Sequence, residues 1–126
     1  MRSRDAALRS KRFEAEEKSR KVQGLGQMIR EFEQIALDLE RQVEAEVART
    51  GIKDRNHFAY SMLAKSVSLR REKLLASIND LQLKLDDAMR DRDEALAELA
   101  ASLPAELREM DRSRQRTDRP AAASLR

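Results

Sequence analysis

From Leu8 a residue able to face a helix partner returns every seventh position, at Ala15, Val22, Ile29, Ala36 and Val43. Lys11, Lys18, Leu25, Phe32 and Leu39 fill the intervening places. Residues spaced alternately three and four apart share one face of a helix, and a repeat held at seven winds two such faces around each other as a coiled coil. The pattern predicts a first helix over residues 3–50. Ser3 is its expected N-cap, Asp5 sits favourably against the helix dipole, and Thr50-Gly51 offers a left-handed stop. Gly24 and Gly26 interrupt the interior at about 1 kcal/mol each relative to alanine and mark a possible bend. Acid-before-base pairs four apart, Glu14 with Lys18, Glu16 with Arg20 and Glu17 with Lys21, support the helix where its seam carries lysines.

A second seam runs through Tyr60, Ala64, Val67, Arg71, Leu74, Ile78, Leu81, Leu85, Ala88, Arg92, Ala95 and Leu99. It predicts a helix over residues 56–103, capped by Asn56 and ended by Pro104. With only Ile52 to Arg55 between them, the helices are antiparallel neighbours, each on the order of 70 Å long at 1.5 Å per residue. The expected architecture is all-α: a long two-helix antiparallel coiled-coil hairpin over residues 1–103, followed at 104–126 by a short helical extension and a flexible basic tail. A reversal at 52–55 sets Ile29 against Ile78, Leu25 against Leu81 or Leu85, Val22 against Leu85 and Leu8 against Leu99. The same register lays Arg71 on Ala36 and Arg92 on Ala15, where an alanine leaves room for a long basic stem. A short linker favours folding within one chain over a helix-exchanged dimer, and the sequence leaves the oligomeric state open.

Composition narrows the function. Of the 126 residues 39% are charged and 3% aromatic, so each helix buries a narrow stripe and the chain has no room for a catalytic domain beside the coil. With no cysteine there is neither a disulfide framework nor a thiolate metal site, which suits a reducing, cytoplasmic compartment. The basic start, MRSRDAALRSKRFEAEEKSR, lacks the apolar run needed for export or membrane insertion. The sole histidine, His57, has no second ligand or nucleophile near it in the pattern and is expected to serve the packing of the turn. The carboxylates lie on solvated helix faces, where nothing tunes a pair for acid–base work. The expectation is a protein without enzymatic activity and without cofactors.

Charge adds one asymmetry. The net charge is +3, but residues 1–21 carry eight basic against four acidic side chains, and residues 112–126 carry five against one. A hairpin brings these segments to one end, a basic tip, while residues 22–51 hold three basic against six acidic. The candidate partner-binding residues are therefore Arg2, Arg4, Arg9, Lys11 and Arg12 at the tip, with Phe58 and Tyr60 at the turn. The turn aromatics have a second reading, in which both close the hairpin by packing on Val43 and Val47. Nucleic acid is not the expected partner, because basic and acidic residues alternate and no row of aromatics accompanies them.

Around the turn, GIKDRNHFAYSMLAKSVSLRREKLLASINDLQLKLDDA, residues 51–88, resembles the flagellar export protein FliJ family in its alphaproteobacterial form. The similarity rests on Gly51-Ile52, the run Asn56 to Tyr60, and Arg70-Arg71 with Leu74 and Leu75, and extends over residues 1–100. It implies a soluble component of the bacterial flagellar type III protein export apparatus, shaped like the stalk subunit of rotary ATPases and without catalytic residues. It also implies binding to the export ATPase ring and to the cytoplasmic domain of the membrane export gate, with a role in escorting export chaperones. Such a protein is cytoplasmic and peripheral at the inner membrane. The alternative is a structural or scaffolding coiled coil unrelated to secretion.

Overall fold

The structure is a computed structural model and describes residues 2–103. Two helices run antiparallel, α1 over Arg2–Thr50 and α2 over Met62–Ser102, and pack along their length. At 1.5 Å per residue they are about 74 and 62 Å long. The seam read from the spacing is the one that packs. Ala15, Ile29, Ala36 and Leu39 of α1 are buried, as are Ala64, Val67, Ala88 and Ala95 of α2, and the other seam positions are half-buried. A pair of helices covers each stripe from one side only, so the closest-packed positions are mostly alanine and valine, and no large side chain is fully enclosed among the described residues.

The helices differ from expectation at three places. α1 starts at Arg2, ahead of Ser3, so Ser3 lies inside the first turn rather than capping it. Gly24 and Gly26 lie within one continuous helix, since the long flanking helix on either side, residues 2–23 and 27–50, outweighs their local penalty. The expected cap at Asn56 is replaced by Ser61, whose hydroxyl accepts from the Ala64 amide at 3.2 Å. At the other end of α1, Gly51 has φ +74° and its amide donates to the Val47 carbonyl at 2.8 Å, the left-handed stop that the sequence indicated.

The connection is therefore 51–61 rather than 52–55, and it is held by its own hydrogen bonds. Asp54 accepts from the Asn56 amide at 2.9 Å through its side chain and from the His57 amide at 3.1 Å through its carbonyl. The Tyr60 amide donates to the His57 carbonyl at 3.0 Å. Asn56 is thus used in a turn built on Asp54 and does not open a helix. This moves the reversal point later in the chain and shifts the register by about one helical turn. Ala15 shares a groove with Leu96 and Leu99, not Arg92, and Arg71 reaches Glu40 at 3.7 Å, one turn beyond Ala36. Leu99 likewise lies in the groove bordered by Arg12 and Ala15, about one turn along α1 from Leu8. Of the three surface pairs expected on α1, Glu14–Lys18 forms at 3.3 Å; Arg20 turns instead to Glu17, one position closer, at 2.5 Å. The short extension and tail expected at 104–126 lie outside the described residues; α2 is closed by Leu103 in extended conformation, as a residue preceding proline requires.

Candidate partner-binding site: the basic tip and the turn

The two sets of candidate residues sit at opposite ends of the rod. At the free end, Lys11 donates to the Ser102 hydroxyl at 2.7 Å, which fixes the level at which the last turn of α2 meets α1. Among the described residues, α1 runs on past that level by about 13 Å, over residues 2–10. Arg4 and Arg9 stand exposed on this stretch, Arg2 begins it, and Arg12 lies exposed just below it. Arg12 borders an open groove whose other walls include Ala15, Glu16, Arg20, Leu96 and Leu99. The charge of the tip is carried by α1. The flanking stretch of α2 bears Asp91, Asp93, Glu94 and Glu98 against Arg90 and Arg92, the latter paired with Asp93 at 3.0 Å, and α1 adds Asp5, Glu14, Glu16 and Glu17, so the positive charge of the tip is partly offset from both helices. Lys11 departs from the other basic residues: it is half-buried and tied to α2, an alignment element as much as a free cation.

At the turn, the two aromatics part company. Tyr60 is buried and closes the hairpin, whereas Phe58 is 96% exposed and packs on neither Val43 nor Val47. The Phe58 ring stacks on His57, centroids 4.7 Å apart, and the His57 Nδ1 accepts from the Ala59 amide at 3.0 Å. His57 thereby orders the turn locally and presents Phe58 to solvent beside the exposed Met62 and Leu63.

A polar clasp at this end was not evident from the spacing. Glu46, in the last turns of α1, accepts a two-pronged pair of hydrogen bonds from Arg49 at 2.5 and 3.1 Å. It also accepts from the Ser61 hydroxyl at 2.8 Å. Ser61 therefore caps α2 and ties it to α1 with one side chain. The Arg49 guanidinium, and then the Ser61 hydroxyl, hold the Glu46 carboxyl at about 2, well below its ordinary 4.5. The same pairing raises Arg49 above its ordinary value. Arg55, in the connection, reaches Glu72 of α2 at 3.6 Å and braces the turn from its other side. The signal for Ser61 was present, a serine directly before an apolar helical run, but Asn56 offered the same signal closer to Gly51.

Among the described residues there is no cluster of side chains able to hold a metal ion, and no helix is long and apolar enough to cross a membrane. Compared with known proteins, the chain matches no protein-family model, no curated protein and no solved structure.

Proposed function

We propose that this chain is a binding rod of the bacterial flagellar type III protein export apparatus, joining the export ATPase ring to the cytoplasmic domain of the membrane export gate and assisting export of flagellar subunits. The observation that carries the reading is the gathering of Arg2, Arg4, Arg9 and Arg12 on the first turns of α1, at the end of a stiff hairpin opposite the connection. A cationic end suits the acidic opening of a ring-shaped partner. The resemblance of residues 51–88 to the FliJ family supplies the identity of that partner. At the other end, exposed Phe58 offers an aromatic anchor for a second partner, the gate or a chaperone, while the Glu46–Ser61 clasp keeps that end rigid. In this reading the protein is cytoplasmic, peripheral at the inner membrane through its partners, and acts by binding alone.

The test is capture of the purified chain by the export ATPase and, separately, by the cytoplasmic domain of the gate from the same organism, at low salt. Capture by both, with Phe58→Ala weakening one of them while helicity is unchanged, supports the proposal. A folded rod that neither protein retains would move the assignment to a scaffold outside secretion.

A further inference from the structure

Two flanks run along the seam. One is polar, lined near the turn by Glu40, Glu44, Ser68 and Glu72. The other carries an open apolar groove in mid-rod, formed by Phe32, Ile35, Leu39 and Leu74 and rimmed by Arg70 and Lys73. Ile35 is 45% exposed, and Met28, one heptad before it, and Leu63, one heptad before Arg70, continue the exposed apolar line. The edges of this face are oppositely charged. Glu31 and Asp38 are exposed along the α1 edge, and Arg70 and Lys73 along the α2 edge. The Glu40–Arg71 pair fixes the levels, and two residues back along α1 and two forward along α2 bring Asp38 level with Lys73.

We propose that this face is the seat of a second copy of the chain. Two rods lie side by side and parallel, each α1 on the other's α2, making a four-helix arrangement over the middle of the rods. The charge pattern selects this geometry. A two-fold axis along the rods sets the acidic edge of each copy against the basic edge of the other, so Asp38 meets Lys73 twice. A two-fold axis across the rods would set Glu31 and Asp38 on their own copies, and Arg70 and Lys73 on theirs. Within the mid-rod contact Asp80, on the α2 edge near the level of Glu31, is a like-charge meeting that bounds the contact on that side, and the two basic tips, which the parallel arrangement brings to one end, lie beyond it and keep the association weak. Packing also favours it, because Phe32 and Leu74 are left half-open by two helices and are covered by four. The contact spans the mid-rod only, on the order of 1,000 Å² in total, which places the association at the weak, reversible end of specific interfaces. The basic tip and Phe58 lie outside it.

The absence of native cysteine makes the geometry directly readable. Chains carrying Ile35→Cys and chains carrying Ser77→Cys are mixed and treated with a short bismaleimide. The expected result is a mixed product exceeding either homotypic product several-fold. A homotypic Ile35→Cys product of equal yield, or no product, would overturn the parallel packing. Sedimentation equilibrium is expected to show mass rising toward twice that of the chain through the micromolar range. Ile35→Asp and Lys73→Glu should each weaken the dimer at least tenfold with helix content unchanged, and Asp38→Lys combined with Lys73→Glu should restore it. A single monomer mass at every concentration, or indifference to these changes, refutes the proposal. Rapid dilution separates side-by-side packing, which returns to monomer within the dead time of the measurement, from helix exchange, whose persistence for hours would count against it.

Discussion

Arg71 occupies a seam position between buried Val67 and half-buried Leu74, and replacing it with leucine is expected to stabilise the hairpin. Its Nε is buried and has no hydrogen-bond partner among the described residues, and a donor left in that state costs about 1–3 kcal/mol. Against this stands the pair with Glu40 at 3.7 Å, with side chains 34% and 46% exposed, an interaction worth about 0–1 kcal/mol at such exposure. The aliphatic stem of arginine already covers part of the stripe, so leucine adds only a fraction of the 1.5–3 kcal/mol of a fully buried aliphatic side chain. The net expectation is a gain of about 1–2 kcal/mol, or about 4–8 °C in Tm per kcal/mol for a domain of this size. Urea unfolding followed by circular dichroism at 222 nm, at low protein concentration, should show a higher midpoint with unchanged slope. Glu40→Gln removes the pair alone and should stay within about 0.5 kcal/mol of the wild type. Loss of stability in Arg71→Leu, with Glu40→Gln losing as much, would show that the ion pair holds the seam and that the reasoning is wrong.

Glycine substitutions should act with opposite signs by position. Gly51→Ala forces a Cβ onto φ +74° and should destabilise by about 1–2 kcal/mol, whereas Gly24→Ala, in open space within α1, should stabilise by about 0.5–1 kcal/mol; both are read from the same unfolding curves. Ser61→Ala removes the α2 cap and should cost about 1 kcal/mol, with Ser61→Asn recovering part of the cap. The depressed Glu46 carboxyl stabilises the fold fully above its unfolded value near 4.5, and this contribution is lost as pH falls toward about 2. Wild type should therefore melt above Glu46→Gln at pH 6, and the gap should narrow steadily down to pH 2.5.

The seam was legible because burial in a two-helix rod depends on little except the spacing of three and four, and that spacing is unbroken within each helix, from Leu8 to Val43 and from Tyr60 to Leu99. Even the basic seam residues Lys11, Lys18, Arg71 and Arg92 take their expected half-buried places, since a narrow stripe lets long stems lie flat with their charged ends in water. The register was less legible. It hinges on which polar residue opens α2, and Asn56 and Ser61 have similar capping strength; Tyr60 decides between them, because burying its ring against the hairpin end consumes five more residues of connection. The tip was readable as charge but not in its details, for the tie of Lys11 to Ser102 follows from that shifted register. Phe58 and Tyr60 could not be separated by type: two aromatics one residue apart in an irregular turn point to opposite sides, and only the fold says which faces solvent.

The most direct test of the account is a binding titration of the purified export ATPase with the wild-type chain and with Arg4→Glu/Arg9→Glu/Arg12→Glu. All three side chains are exposed, so the variant should fold with wild-type helicity. The account predicts saturable wild-type binding that weakens as salt rises, and at least tenfold weaker binding by the variant at low salt. Equal affinity of the two chains, or no affinity in either, would contradict a rod that engages the ring through its basic tip.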